Sequence, residues 1–600
     1  MHDEWSPSLR AAGRPLGVFL LAWLGLSLLP FLPPWGASQA VSPFFPMSAE
    51  VLVLVTLLVY TSGTRWARGG RWGAGLGLGA VLLYQTYDAV VYAAFRRSGI
   101  WAEDAQYVVD LAHLATDIVS WQTAPWILLG MASVGALAWS LPRVLRTLAR
   151  CGRHGCCRAA LLTGHLVLWP LALVVAPAQE WGTEALAYQT SNERVRPRTV
   201  VTKVVQNARA SARLRALLDT LGTAPVDSTY SRYEHLRLEQ RPNVFLLMVE
   251  SYGEVLNRHP DVRAPYRSMM QTLEASFAVD GWHAATAVSD APVRGGRSWL
   301  AIASAFLGTR VDHQLLYERF QSDGSSVPHL IDVFDAQGYR TVTLQPYMMA
   351  RPGLPLGNPY GFDVTLYRKD LPYDGPPYGW GLVDVPDQYS LGHAHTQHIA
   401  EASAPTFLFF ETALSHALWN YGLPPVLDDW RAFDAPGRSP GIRRAALSDR
   451  PDPPPLLPDS LTAPRIFDQP TPIRFLRHIG YEMQVLRQYL ETSVPPNSLV
   501  ILMGDHQPPL LDTETFGVPV HVLSRDASLV APFRAQGFTD GLSLTARSPR
   551  LKHESLYSRL VRALSESDSS AATGPSPPPL KPNGVARSIL VRPKIHAAPQ

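Results

Sequence analysis

The sequence predicts an α/β protein in two parts, a bundle of about five transmembrane helices followed by a doubly wound sheet domain outside the membrane. Three observations predict it. The first third of the 600 residues is dense in Leu, Val, Ala and Trp with few charges, whereas the remainder alternates like a soluble protein. Short β-branched or apolar runs in the second part are separated by amphipathic helical patterns, the signature of a sheet covered on both faces. Charged and imidazole side chains cluster directly after those runs, where open α/β sheets bind ligands. A net charge of +3, without a basic stripe interleaved with aromatics, excludes a nucleic-acid partner as the organising theme.

Five apolar stretches, Leu16–Leu32, Phe44–Gly63, Trp72–Phe95, Thr123–Leu141 and Ala159–Ala176, each approach the ~20 residues that a helix needs to cross a bilayer. A cleaved leader would explain only the first. Arg10 and Arg14 precede the first stretch; Arg65, Arg68 and Arg71 follow the second; and Arg143, Arg146, Arg150, Arg153 and Arg158 lie around the turn between the fourth and fifth. The positive-inside rule then places the N-terminus in the cytoplasm and everything after about Gln179 outside. Cys151, Cys156 and Cys157 all fall in the arginine-rich cytoplasmic loop; their spacing with His154 matches no standard zinc pattern, so the loop reads as reduced. Asp88 is an ionisable group inside the third stretch, readable equally as functional or as interfacial beside Tyr84, Tyr87 and Tyr92.

These boundaries give an anchor over 1–178, a juxtamembrane helical linker over 179–241, an outer domain over 242–564 with a Pro-rich insertion at 432–472, and a disordered tail over 565–600. Within the outer domain, Asn243–Val249, Tyr339–Leu344, Thr406–Phe410 and Leu499–Met503 read as buried parallel strands. Arg474–Thr492, with Phe475, Ile479, Met483, Leu486 and Leu490 at helical spacing, reads as a covering helix.

The first of these strands is followed by Glu250-Ser251-Tyr252-Gly253, the third by Glu411 through His416, and the last by Gly504-Asp505-His506-Gln507. Three strands therefore deliver Glu250, Asp505, His416 and His506, plus Glu411, to one sheet edge. So many like charges tolerate convergence if a divalent cation joins them, and carboxylates with an imidazole suit Mn²⁺, Mg²⁺ or Zn²⁺. A nucleophile is supplied by Gly295-Gly296-Arg297-Ser298, which runs straight into the helical pattern Trp299–Ser304. Ser298 would stand at a helix N-terminus, where backbone N–H groups favour an anion, with Arg297 beside it to neutralise charge. The ordinary alternative for Ser298 is a simple N-cap, and Ser289 and Ser304 compete as nucleophiles. His393, His395 and His398 are left outside the site.

The order Glu250, Ser298 after glycines, His416, then Asp505-His506 resembles the lipoteichoic acid synthase-like branch of the alkaline phosphatase–sulfatase superfamily, which includes periplasmic phosphoglycerol transferases. The resemblance covers the anchor and about Pro242–Leu564, and Gly361-Phe362-Asp363 also fits it. It implies a sulfatase/alkaline-phosphatase-like sheet, and Glu250, Ser298, Asp505 and His506 as ligands of one divalent ion, Mn²⁺ first, with Mg²⁺ or Zn²⁺ as alternatives. Ser298 stands where that family usually has a threonine nucleophile, and His416 matches a histidine that touches the substrate phosphate. One departure concerns the substrate: Gln345-Pro346-Tyr347 and Arg351 occupy the region where the lipoteichoic acid synthases have a histidine and a Trp-Asn-Arg element.

The expected activity is transfer of a phosphoglycerol-like head group from a membrane lipid to an envelope glycan or glycolipid at a bacterial cytoplasmic membrane, with His416, Arg351, Gln345 and Arg297 binding substrate. The alternatives are a membrane-bound hydrolase of the same superfamily and a non-catalytic envelope protein on a degenerate fold. Formylglycine-dependent sulfatase chemistry is disfavoured, because Asp290 stands where Asp290-Ala291-Pro292-Val293-Arg294 would need a modifiable Cys or Ser.

Overall fold

The structure is a computed structural model that describes residues 7–36, 48–105, 124–175, 199–221, 229–230, 233, 236–323, 327–349, 357–378, 383–434, 456–462, 468–511, 513–565 and 578–590. The chain divides into two compact units, Met1–Ala216 and Leu217–Gln600.

In the first unit, three helices are long and apolar enough to cross a membrane: Arg14–Gly36, Ala67–Phe95 and Leu128–Cys151. The expectation of about five is corrected to three among the described residues. The second apolar stretch fails on length. Ser48 caps its helix, accepting a hydrogen bond from the Val51 N–H at 3.3 Å, so the helix starts only at Ala49 and ends at Thr61. Thirteen residues at 1.5 Å each rise ~20 Å, short of the ~30 Å hydrocarbon core. The fifth stretch lies in the helix Gly155–Val175, whose apolar part among the described side chains is Gly155–Leu168. Asp88 is buried in an ion pair with Lys203, 2.7 Å away, and accepts the Gly99 N–H at 3.0 Å. The three cysteines are free thiols.

The second unit is built on a nine-stranded mixed sheet: β1 Asn243–Val249, β2 His283–Asp290, β3 Arg340–Gln345, β4 Val364–Tyr367, β5 Thr406–Glu411, β6 Ser498–Gly504, β7 Gly517–Ser524, β8 Thr539–Asp540 and β9 Arg550–Lys552. The order is β4-β3-β5-β1-β6-β7-β2-β8, with β9 beside β2. From β4 to β6 the pairings are parallel; β7 and β2 extend the sheet antiparallel. Side chains alternate across a strand, so Val244, Leu246 and Met248 of β1 enter one core while Phe245, Leu247 and Val249 enter the other. Such a continuous apolar run is what burial on both faces demands. The helix Thr471–Thr492 covers the second face with Phe475, Ile479, Met483, Leu486 and Leu490.

The expected disordered tail is corrected for residues 578–590, which dock on this unit. Val585 forms a parallel bridge with Thr309, its N–H donating to the Gly308 carbonyl at 2.8 Å, and Arg587 pairs with Asp312 at 2.6 Å. Ile589 and Leu590 are fully buried, apolar side chains that a Ser/Pro-rich composition concealed. Removing 578–600 is expected to lower the melting temperature and cost ~3–6 kcal/mol, about 1.5–3 for each of these two side chains. Thermal melts of the truncated chain check this, and an unchanged Tm would reject the docking. Of the remaining tail and of the Pro-rich insertion, 435–455, 463–467, 566–577 and 591–600 lie outside the described residues, as does 179–198 of the linker.

Candidate active site

Parallel register brings the first acids together. Val249 pairs with Gly504 across β1 and β6, so the next residues, Glu250 and Asp505, leave the sheet side by side. Gly504 has no room for a Cβ, which would lie 2.0 Å from the Tyr252 carbonyl oxygen. The chain turns at Ser251 with φ 63°, a left-handed conformation that non-glycine residues rarely adopt. Two hydrogen bonds hold it: its N–H donates to Asp505 Oδ1 and its hydroxyl to Glu250 Oε1, both at 2.7 Å.

His506 is the next residue along the chain. Its Nδ1–H donates to the Gln507 carbonyl at 2.9 Å, which leaves the Nε2 lone pair facing the acids. Nε2 lies 3.1 Å from Asp505 Oδ2, 3.7 Å from Glu250 Oε1 and 3.4 Å from Ser298 Oγ. Ser298 opens the ten-residue helix Ser298–Leu307, behind Gly296 and Arg297 in left-handed conformations, and its hydroxyl donates to Glu250 Oε2 at 2.7 Å. Glu250, Ser298, Asp505 and His506 thus occupy one buried cluster. The competing serines stand elsewhere: Ser304 donates to its own helix at Leu300, and Ser289 contacts His553.

Glu411, at the end of β5, is the residue whose position sequence reasoning notes without assigning a role. Its neighbour in register is Met248, one step before the end of β1, and that pairing is the signal that places it. Its Oε2 accepts from Gln345 Nε2 at 3.0 Å and from the Tyr347 hydroxyl, while Oε1 has no hydrogen-bond partner among the described residues. Gln345 therefore serves Glu411, and Tyr347, in sequence terms only a departure from a motif, belongs to the site. Thr412 is a further residue that sequence reasoning missed; its hydroxyl accepts the Glu250 N–H at 3.1 Å. Half-buried His416 donates from Nδ1 to the Ala417 carbonyl, and its charge bears on both Glu250 and His506. Arg297 is buried and its charge also bears on His506. Arg351 lies outside the described residues. His393 and His395 are engaged away from the site, His393 stacking on Tyr389 and His395 bonding Tyr489.

Electrostatics separates the three acids. Burial raises Glu250, but the imidazoles of His506 and His416 and hydrogen bonds from its neighbours outweigh it and hold the carboxyl at about 2. Burial, then the charge of Glu250, pushes Glu411 up to about 8. Burial, with Glu250 and Glu411 beside it, lifts Asp505 well above the carboxylate range. Burial lowers His506, and the charge of Glu250 opposes the fall.

The residues fit a divalent cation. One ligand atom each from Glu250, Asp505 and His506 lies within 4.8 Å of the others. Asp505 Oδ2, fully buried, has no hydrogen-bond partner among the described residues although it sits among acids that repel it. Two carboxylates, a neutral imidazole and a hydroxyl form a donor set for Mn²⁺, Mg²⁺ or Zn²⁺.

No family model and no curated protein matches the chain. Solved structures similar to it include the lipoteichoic acid synthase LtaP from Listeria monocytogenes, at 12% identity and a TM-score of 0.35, covering 60% of this chain and 80% of that one. The soluble domain of lipooligosaccharide phosphoethanolamine transferase A from Neisseria meningitidis matches at 12% identity and TM-score 0.33, over 56% and 92%. The Streptococcus pyogenes phosphoglycerol transferase GacH, in complex with sn-glycerol-1-phosphate, matches at 12% and 0.32, over 55% and 78%. The likeness concerns the fold alone.

Proposed function

We propose that the chain is a membrane-anchored, metal-dependent phosphotransferase, moving a phosphoglycerol-like head group from a lipid donor to an envelope glycan or glycolipid through a phosphoserine at Ser298. The observation that carries this reading is the Ser298 hydroxyl, at a helix N-terminus and 2.7 Å from Glu250, within a buried cluster with Asp505 and His506. Glu250, Ser298, Asp505 and His506 would hold the cation. A bound divalent cation would favour the serine alkoxide and offset the repulsion between the acids and an incoming phosphate.

The chain's own residues then divide the work. The Ser298 oxygen forms the bond to phosphorus as the bond from phosphorus to the lipid oxygen breaks, and the serine proton, relayed through its hydrogen bond to Glu250, ends on the leaving lipid alcohol. Helix N–H groups at Ser298, with Arg297 and His416 around them, oppose the negative charge on the phosphoryl oxygens. In the second step an acceptor hydroxyl displaces Ser298. The long apolar helices support an anchor that keeps the site near lipid donors. The arginine pattern supports a cytoplasmic N-terminus with the sheet domain on the outer side of a bacterial cytoplasmic membrane.

The test uses the full chain in detergent with Mn²⁺ and phosphatidylglycerol, with and without an acceptor glycan. The expected result is a phosphoglycerol adduct on the peptide bearing Ser298, discharged by the acceptor. Equal release of free head group in both arms would replace transfer by hydrolysis. A chain that takes up no divalent metal and no adduct would leave the non-catalytic reading.

A further inference from the structure

The loop that leads from β2 to Ser298 is loose by composition, and its support comes from the far end of the serine's own helix. Residues 291–297 include Gly295 and Gly296, and Gly296 and Arg297 take left-handed conformations, with φ 58° and 63°. A glycine-rich segment gives up much conformational freedom on folding, so it keeps one geometry only where other groups hold its backbone. The Ala291 N–H donates to the Phe516 carbonyl at 3.0 Å. The Ala291 and Pro292 carbonyls accept from one nitrogen of Arg310, Nη2, at 3.4 and 3.3 Å. Arg310 follows Leu307, where the helix Ser298–Leu307 ends, by three residues. One side chain thus ties the segment entering the helix to the segment leaving it.

Arg310 is itself held. Its Nε lies 3.4 Å from Asp312 Oδ2 and its Nη1 3.7 Å from Glu554 Oε1, and both acids are buried. Arg587, in the C-terminal segment, donates from Nη2 to the same Asp312 oxygen at 2.6 Å and from Nε to the Arg310 carbonyl at 3.1 Å. Two guanidinium groups therefore face two buried acids, so neither acid is left without a cation. The planar fork of arginine matters at position 310, because two of its nitrogens address the acids while the third reaches the carbonyls. A lysine has one nitrogen to offer. Backbone contacts fix the C-terminal segment against the same turn. The Gly308 carbonyl accepts the Val585 N–H at 2.8 Å and the Tyr230 hydroxyl at 3.3 Å, and the Thr309 hydroxyl donates to the Val585 carbonyl at 2.8 Å. Gly584 has φ 64°, and a Cβ there would lie 2.3 Å from the Gly308 oxygen, so only glycine allows this approach.

A ten-residue helix is a rod about 15 Å long, and Ser298 is its first residue. The serine is therefore placed no more accurately than the two segments that flank the rod, and a misplacement of ~1 Å at a reacting group costs on the order of a hundredfold in rate. We propose that Arg310 is a positioning residue for Ser298, clamping the segment 291–297 to the segment 308–312, and that Arg587 completes the clamp by holding Asp312 and the Arg310 backbone. The C-terminal segment then supports the reacting serine as well as the core. That catalytic consequence rests on the phosphotransferase reading of Ser298; the clamp does not.

Three substitutions in the full chain in detergent test the clamp. Hydrogen exchange over residues 289–300, followed by mass spectrometry, reads it without any activity. Arg587→Ala, which removes a cation from Asp312, and Arg310→Lys, which keeps the charge but loses the fork, are each expected to raise exchange there about tenfold. Arg587→Lys, with a cation still in reach of Asp312, is expected to stay close to the parent. The second readout is the phosphoglycerol adduct on Ser298. At saturating phosphatidylglycerol, Arg587→Ala and Arg310→Lys should form it about tenfold to a hundredfold more slowly, with KM for the donor and metal content unchanged, and Arg587→Lys should recover most of the rate. Tyr233→Phe controls for a simple loss of stability. It deletes a hydrogen bond of 3.0 Å to the Pro579 carbonyl, another hold on the C-terminal segment, and should leave both loop exchange and adduct rate at parent values. Parent-like exchange over 289–300 in both Arg587→Ala and Arg310→Lys, or a Tyr233→Phe variant as slow as Arg587→Ala, would overturn the proposal. Should the parent form no adduct at all, the functional reading fails while the exchange pattern still decides the clamp.

Discussion

Replacing Ser298 by alanine is expected to abolish the phosphoglycerol adduct and reduce turnover by ~10³–10⁶-fold, the range over which removal of a covalent nucleophile leaves only binding and electrostatic contributions. The fold should survive. The hydroxyl makes one hydrogen bond of consequence, to Glu250, and its loss costs ~1 kcal/mol. Ser298→Thr is the informative companion, since it restores a hydroxyl at the same Cβ and should restore the adduct. Ser304→Ala and Ser289→Ala should both leave the adduct in place, because Ser304 bonds its own helix and Ser289 faces His553. Peptide mass spectrometry after incubation with phosphatidylglycerol separates these outcomes. An adduct that persists in Ser298→Ala would remove the nucleophile from the mechanism.

The residues of this cluster are legible in the sequence for a geometric reason. Strands buried on both faces are continuous apolar runs, and the residues directly after them must leave the sheet at one edge, so Glu250 and Asp505-His506 can be placed without knowing the register of β1 and β6. The four parallel strands read in sequence lie within a residue or so of β1, β3, β5 and β6. The antiparallel extension is not legible. β2 is His283-Ala284-Ala285-Thr286-Ala287-Val288-Ser289-Asp290, small and polar enough to lack a strand's signature, and its place follows from pairing with β7. Glu411 is visible at the same edge but receives no role, because single-sequence patterns say nothing about which strands are neighbours. The length of the Ala49–Thr61 helix is overestimated from sequence because a cap at Ser48 shortens an apolar run that composition alone extends.

Adding a chelator of divalent cations is expected to destabilise the sheet unit, and increasingly so as pH rises. In the cation-free chain, burial first, and then the neighbouring acids, raise Asp505 and Glu411 above their ordinary values of 3.8 and 4.5. The folded state then retains protons that the unfolded chain has released, so unfolding free energy falls with pH through the window from about 4.5 to about 8 set by Glu411. Glu250 has the opposite sign: held down at about 2 from 4.5, it contributes stability above 4.5 that is lost as pH falls towards 2. A cation that binds only the folded chain reverses the alkaline loss, by ~2.7 kcal/mol at a hundred times its Kd and ~4.1 at a thousand times. Asp505→Asn isolates the effect. Its Oδ1 can still accept the Ser251 and His506 N–H groups, both at 2.7 Å, so the turn is kept, while a neutral amide replaces an acid that carries a proton in the cation-free state. The variant should therefore melt at or above the chelated parent at alkaline pH, gain nothing from Mn²⁺, and lose turnover by ~10²–10⁴-fold, the equivalent of several kcal/mol of electrophilic assistance. Melting curves at two pH values, with EDTA and with Mn²⁺, resolve all three effects. A parent whose Tm ignores both chelator and metal would leave Glu250, Asp505 and His506 as a proton-sharing acid cluster, without a cation for the serine to use.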